Sequence, residues 1–306
     1  MRCILWILVT PFLFNYAYSQ SKDDISLQFK FKEGEALKYV MTVSSQTDTK
    51  GVKANMEQAY TIIETIERVD DKGIVTIKLK YESVKHKLTA PMKNITFDSS
   101  RESDIKKAKD NSSISMLANM VGKEVTIKVK DSEVIDVDLK AIKEALQGES
   151  AKDGKVAFID NSIRNFTSNF LPQKPIKRGD TWGEQVMTFL PTFGAISEPF
   201  LKINAKPHYK LEEIISKGDK VAKIGLSAGL NVEKAEEFDD TEEKYYDDKR
   251  NGEANGTILF SLTKGRLLKS SITQTFTVDT EPPIGQMFVG KAIKSKTTQK
   301  IEVELK

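Results

Sequence analysis

Apolar and polar residues alternate with a period of two in four stretches of this chain, and that pattern restricts the architecture more than any motif in it. Leu27, Phe29 and Phe31 alternate with Gln28, Lys30 and Lys32, and Val75, Ile77, Leu79 and Tyr81 alternate with Thr76, Lys78 and Lys80. Val125, Ile127 and Val129 stand against Thr126, Lys128 and Lys130, and Ile301, Val303 and Leu305 against Glu302 and Glu304. A period of two puts each apolar set on one side of an extended strand, so each stretch predicts a strand with one buried and one wet face. Asp70-Asp71-Lys72-Gly73, Lys217-Gly218-Asp219 and Lys264-Gly265 separate such runs as hairpin turns do. One-sided strands joined by short turns build antiparallel sheets.

The period changes in the middle of the chain. Ser103 with Asp104 caps an expected helix near 104–121, in which Ile114, Leu117, Ala118 and Val121 share a face and Gly122 acts as a stop. Val156, Ile159, Ile163, Phe166 and Phe170 recur at helical spacing and predict a second helix over 155–170, ended by Leu171-Pro172. The expected class is therefore α+β and mainly antiparallel β, with long curved sheets and two or three helices in mid-chain. An offset of 149 residues pairs Tyr60 with Tyr209, Ile62 with Leu211, Asp70 with Asp219 and Ile77 with Leu226. Two tandem sheet units, 20–172 and 173–306, meeting at Gln173–Asp180, are one reading of that offset. Two unrelated amphipathic hairpins would align as well, and both readings stand at this point.

Met1-Arg2, an apolar run from Ile4 to Phe14 and the small residues of Ala17-Tyr18-Ser19 form an export signal over 1–19, cleaved before Gln20. No later run approaches the roughly 18 apolar residues a membrane span needs, so no transmembrane anchor is expected after the signal is removed. The product is expected in the periplasm or outside the cell, soluble. Cys3 is the only cysteine and lies in the signal, which leaves no disulfide. A formal net charge of +3 supplies no electrostatic ground for binding nucleic acid or an anionic membrane.

Catalytic motifs occur only as fragments. Gly225-Leu226-Ser227-Ala228-Gly229 spells a nucleophile elbow, but a strand–turn–helix context and a downstream histidine are missing, since His86 and His208 both precede Ser227. Gly285 to Lys291 fits a phosphate loop in spacing, yet Ala292 replaces the hydroxyl that would hold magnesium. Ser103-Asp104-Ile105-Lys106 lacks its companion motifs and is better a helix start. Two isolated histidines cannot build a zinc site, and Glu233–Asp248 has carboxylates enough for loose calcium binding without the spacing of a calcium loop. That stretch is expected to be a solvated hairpin tip ending at Asn251-Gly252. Trp182, the only tryptophan past the signal, is expected to be a buried anchor rather than a sugar platform. No catalytic, cofactor-binding or metal-ligating residue is nominated, and no enzyme activity is expected.

The export signal ending at Gln20, the Gly34–Tyr39 opening, Thr96-Phe97-Asp98-Ser99-Ser100, the junction Pro172–Trp182 and the Phe260–Leu267 hairpin together resemble a family of exported bacterial proteins of unknown function. The resemblance implies a mainly β protein of the Gram-negative envelope. More loosely, the pattern is similar to periplasmic lipoprotein carriers and lipid-binding half-barrels. The first expectation is a structural or interaction role with another envelope protein. The alternative is a binding or carrier module holding an apolar or amphipathic ligand between sheet and helix, with Val156, Ile159, Ile163, Phe166 and Phe170 in contact with it.

Overall fold

The computed structural model describes residues 24–91, 93–108, 112–145, 160, 170–191, 200–234, 250–280 and 293–306. The chain first forms β1 (Ala36–Thr49), β2 (Val52–Val69), β3 (Val75–Ala90) and β4 (Lys93–Asp98). Helices α1 (Glu102–Ala108) and α2 (Ser112–Met120), strands β5 (Glu124–Lys130) and β6 (Glu133–Asp138) and helix α3 (Lys140–Ala145) follow. The second half holds β7 (Thr181–Trp182), β8 (Val186–Pro191), β9 (Phe200–Lys217), β10 (Asp219–Lys234), β11 (Arg250–Ser261), β12 (Arg266–Thr280) and β13 (Ile293–Leu305). All of these strands join one antiparallel sheet in the order β6-β5-β3-β2-β1-β13-β12-β11-β10-β9-β7, with β4 beside β3 and β8 beside β9. The chain therefore starts at the centre, works out to one edge, resumes at the other edge and returns. Its first and last strands meet in the middle, Tyr39 opposite Leu305 and Thr49 opposite Ser295.

The two hairpins related by the 149-residue offset are both present, but their pairing is not shared. Ile66 lies opposite Ile77 in β2–β3, whereas Ile215 and Leu226 in β9–β10 lie opposite Val221 and Tyr209. Their turns differ as well. Asp70 closes the first by accepting from the backbone N–H groups of Lys72 and Ile74 at 2.9 and 2.8 Å, with Gly73 at a φ of 74° that few other residues adopt cheaply. The second turns over Gly218 alone between paired Lys217 and Asp219.

Alternation gives the sheet one apolar face, and the core lies on it. At one side α1 and α2 set Ala108, Ile114 and Leu117 against Val84, Leu88, Ile95 and Phe97. Met120, Leu139 and Ile142 cover Ile66, Ile77, Val125, Ile127 and Val129. Seven- and six-residue helices such as α1 and α3 are too short to hold their own hydrogen-bonded turns in water, so this burial is what keeps them helical. Across the lower end Leu27, Phe170, Leu211, Ile224, Ile258, Phe260 and Val303 form the largest cluster. Each fully buried side chain of that size contributes about 1.5–3 kcal/mol.

Three expectations require correction. Residues Leu27–Phe31 are not a sheet strand but an extended strap that crosses the lower apolar face, tied by the Ile25–Ile176 bridge and by Lys30 donating its N–H to the Gly265 carbonyl at 2.9 Å. The alternation still has its physical cause: Leu27 is buried, and Phe29 rests on Phe31, Phe170 and Phe260 with ring centroids 5.6–6.0 Å apart. The single helix expected near 104–121 is two, α1 and α2. Asn251-Gly252 does not end a tip but lies inside β11, paired with Asn231 and Leu230. The helix expected over 155–170 falls outside the described residues except for Asp160 and Phe170. Most of the acidic stretch, 235–248, and the phosphate-loop fragment also fall outside them.

Candidate functional site

Pairing aligns the apolar face in horizontal rows, and its chemistry changes within three neighbouring rows, one row lower on β2 and β3 than on β1, β13 and β12. On β1, Leu37, Tyr39, Met41 and Val43 give way to Ser45, Thr47 and Thr49, which share their face because alternate residues of a strand do. On β13, Leu305, Val303 and Ile301 opposite them give way to Gln299, Thr297 and Ser295. On β12, Ile272 gives way to Gln274, directly opposite Gln299. On β2 and β3 the polar residues are Gln58, opposite Val43, and His86, opposite Gln58.

These side chains satisfy one another across strands. Thr47 and Thr297 are both buried and join hydroxyls at 3.0 Å, and Thr49 meets Ser295 at 2.7 Å. Gln274 donates to Gln299. Tyr60 donates its hydroxyl to Gln58 Oε1 at 2.9 Å, and the Gln58 amide contacts His86 Nδ1 at 3.1 Å. A carboxamide nitrogen only donates, so Nδ1 accepts, the ring proton sits on Nε2 and His86 is neutral. Burial lowers its pKa in the same direction. Burial likewise pushes the Tyr60 phenol above its ordinary range, with Tyr81 beside it adding to the effect, and Tyr81 itself is raised to about 12 by burial.

To one side of this cluster the face is apolar again, with Ile203, Leu230, Val232, Ala254 and Phe276 buried together and Ala205 and Ala228 against them. Every described member is a strand residue. Gly252 and Gly256 belong to the same face and mark how closely β12 approaches β11: a Cβ at Gly256 would stand 2.6 Å from the Ser271 carbonyl oxygen. Below the cluster lies the charged group of this face, in which Arg266 Nη2 meets the Glu35 carboxylate at 2.9 and 3.1 Å while Glu64 and Tyr39 share the site. Burial is the main cause that raises the Glu64 carboxyl to about 7, opposed by Arg266 and assisted by Glu35. The opposite face is wet, with an open depression of about 550 Å3 lined by Glu57, Lys87, Lys300 and hydroxyl and amide side chains.

Of the nominated ligand contacts only Phe170 is among the described residues. Phe170 is a lower-core residue, edge-on to Phe260, and its carbonyl accepts from Trp182 Nε1 at 2.9 Å. Val156, Ile159, Ile163 and Phe166 lie outside the described residues. Trp182 stacks on Tyr209 at 5.9 Å, as an anchor does. Ser227 sits in the middle of the continuous strand β10 opposite His208, which denies it the sharp turn an elbow needs. Among the described residues no group of histidine, cysteine or carboxylate side chains could hold a metal ion. The hydroxyl and amide cluster was not visible in advance, because Ser44–Thr49 and Ser295–Gln299 are polar on both faces and carry no period.

A family model described as a family of unknown function, DUF6263, matches residues 72–267, more than half of the chain, from the β2–β3 turn to the start of β12. The chain belongs to the DUF6263 family. No curated protein matches it. Among solved structures it is similar to lipovitellin, in a structure concerned with lipid–protein interactions, with a TM-score of 0.45 and 10% identity over 90% of this chain. The chain spans only 25% of the lipovitellin chain. It is also similar to OccK5 (OpdH) of Pseudomonas aeruginosa, with a TM-score of 0.19 and 6% identity over 90% of this chain and 99% of the other. The family match agrees with the expected membership in a β-rich family of unknown function. No helix among the described residues is long and apolar enough to cross a membrane.

Proposed function

We propose that this is an exported, non-enzymatic binding module that takes an amphipathic ligand on the apolar face of its sheet. The observation that carries the reading is the group of neutral, hydrogen-bonding side chains spread over three rows from His86 to Gln274, set beside the apolar cluster of Ile203, Leu230, Val232, Ala254 and Phe276. A face built only as core gains nothing from hydroxyls and amides, since each must be paired to avoid a desolvation cost of about 1–3 kcal/mol. A face that receives a molecule with an apolar body and a polar end uses both. The export signal supports placing this activity outside the cytoplasm. A structural or interaction role is favoured by a different observation: Ile135 on β6 and Met187 on β8, at opposite edges of the sheet, are 48% and 38% exposed.

Native mass spectrometry of the protein recovered from its own host tests all of this at once. The expected spectrum shows a chain beginning at Gln20 with a small-molecule adduct that organic extraction removes. A bare chain that takes up no amphiphile would overturn the binding reading, and a protein-sized adduct would put the interaction role in its place. A chain retaining Met1 would remove the export assignment.

A further inference from the structure

The ligand-binding reading can be carried to the chemistry of the ligand's polar end. We propose that this end is uncharged, an alcohol, ester or amide on an apolar body, and that carboxylate and phosphate headgroups are rejected; the proposal rests on the binding reading above.

Three successive rows of the apolar face, those of Val43, Ser45 and Thr47, run across the sheet from β3 to β9. No aspartate, glutamate, lysine or arginine occupies any of their described positions on this face, in a chain of which 30% is charged. By register, the nearest charged positions are Lys93 on β4, beside Ala90 at the β3 end of the Thr47 row, Arg250 one row above at the rim of β11, and Glu64 below. The rows nevertheless carry uncharged donors and acceptors, His86 and Gln58 in the first, Ser45, Gln299 and Gln274 in the second, and Thr47 and Thr297 in the third.

An anionic headgroup brought among the β1, β13 and β12 side chains of these rows would lose its hydration and meet no opposite charge within them, a penalty that hydroxyl dipoles do not offset. A hydroxyl or ester oxygen fits. In a pair such as Thr47 and Thr297 one hydroxyl proton is used between the two and the other remains to be donated, and a paired carboxamide likewise keeps a free N–H and a lone pair. His86 adds an uncharged Nε2–H, because its Nδ1 is held as the acceptor of Gln58. The cluster can thus accommodate one more neutral partner without breaking its own bonds.

The test uses the full chain purified free of its host ligand and loaded with an apolar fluorescent probe, displaced by monodecanoylglycerol or by decanoate, which share an acyl chain. At about pH 8, where decanoate is ionised, the monoacylglycerol should displace the probe at a concentration at least about ten-fold lower. Equal or stronger displacement by decanoate overturns the inference and leaves the binding reading intact. Displacement by neither, or failure to take up the probe, overturns both. The double variant Thr47→Val, Thr297→Val removes both hydroxyls, and it should narrow the preference between the two amphiphiles to within about three-fold. An unchanged preference in that variant would remove the assignment of the polar end to these hydroxyls.

Discussion

Glu64 shows how a single side chain on the apolar face sets a pH dependence. Its carboxyl, raised from an ordinary 4.5 to about 7 chiefly by burial, binds its proton more tightly in the fold than in the unfolded chain. The stability this contributes is complete below about pH 4.5 and is lost as pH rises through about 7, since the fold must then keep a charge among Leu37, Leu79 and Glu35 with only Arg266 to oppose it. Glu64→Gln removes the titration. It should leave the melting temperature at pH 4.5 near that of the wild type and raise stability at pH 8 by on the order of 1–3 kcal/mol. Melting curves at the two pH values check this, and an equal difference at both would show that the carboxyl is not the cause. Glu35 is the contrasting case on the same face. It meets Arg266 directly, so removing it would strand a guanidinium that is 16% exposed.

Strand β11 is the element whose sequence most closely limits its neighbour. Gly252 and Gly256 face β12, and a methyl group at either would sit 2.6 Å from a β12 carbonyl oxygen, on backbone that cannot swing aside. Gly256→Ala should therefore cost about 1–3 kcal/mol, against the gain of a few tenths that Gly→Ala gives in an open strand. A thermal melt at or above the wild-type temperature would mean that β12 can retreat. The same strand shows what the sequence made legible. Ile258 and Phe260 lie in the run before the Lys264-Gly265 turn, which its alternation and that turn together read as one arm of a hairpin with the run after it. Asn251-Gly252 read as a tip, because glycine beside asparagine marks turns far more often than close strand contact. The lower core was legible for the same reason as Ile258, and so was the β-rich class. The strap was legible in facing but not in partnership, since Leu27, Phe29 and Phe31 bury alternate side chains whether or not a ladder runs beside them. The candidate site was not legible, because hydroxyls on both faces of Ser44–Thr49 hide a periodicity that only the pairing with β13 and β2 assigns. Helix α3 carries no long stripe; Asp138 accepts from the Lys140 N–H at its start at 2.9 Å, and Ile142 entering the core holds it.

At the scale of the whole molecule the sheet depends on a pair that is remote in sequence. β1 and β13 are joined from Tyr39–Leu305 to Thr49–Ser295, and the buried hydroxyl pairs at their upper end fix the register where apolar alternation is absent. Deleting residues 293–306 should not give a trimmed sheet. It removes the strand between β1 and β12, exposes two long edges and splits the lower core at Val303. The expected product has no cooperative melt and is aggregation-prone, as checked by calorimetry and light scattering. A soluble truncated chain melting as sharply as the wild type would show that the halves stand alone. The same arrangement imposes an order of events on the living cell. A ribosome makes β1 before every other strand of the sheet and β13 after every other, so the emerging chain carries one unpaired fourteen-residue edge through almost its entire synthesis. Such an edge invites pairing with a neighbouring nascent copy, and shielding it until the final residues emerge is a task for a holding chaperone rather than for any part of the finished fold.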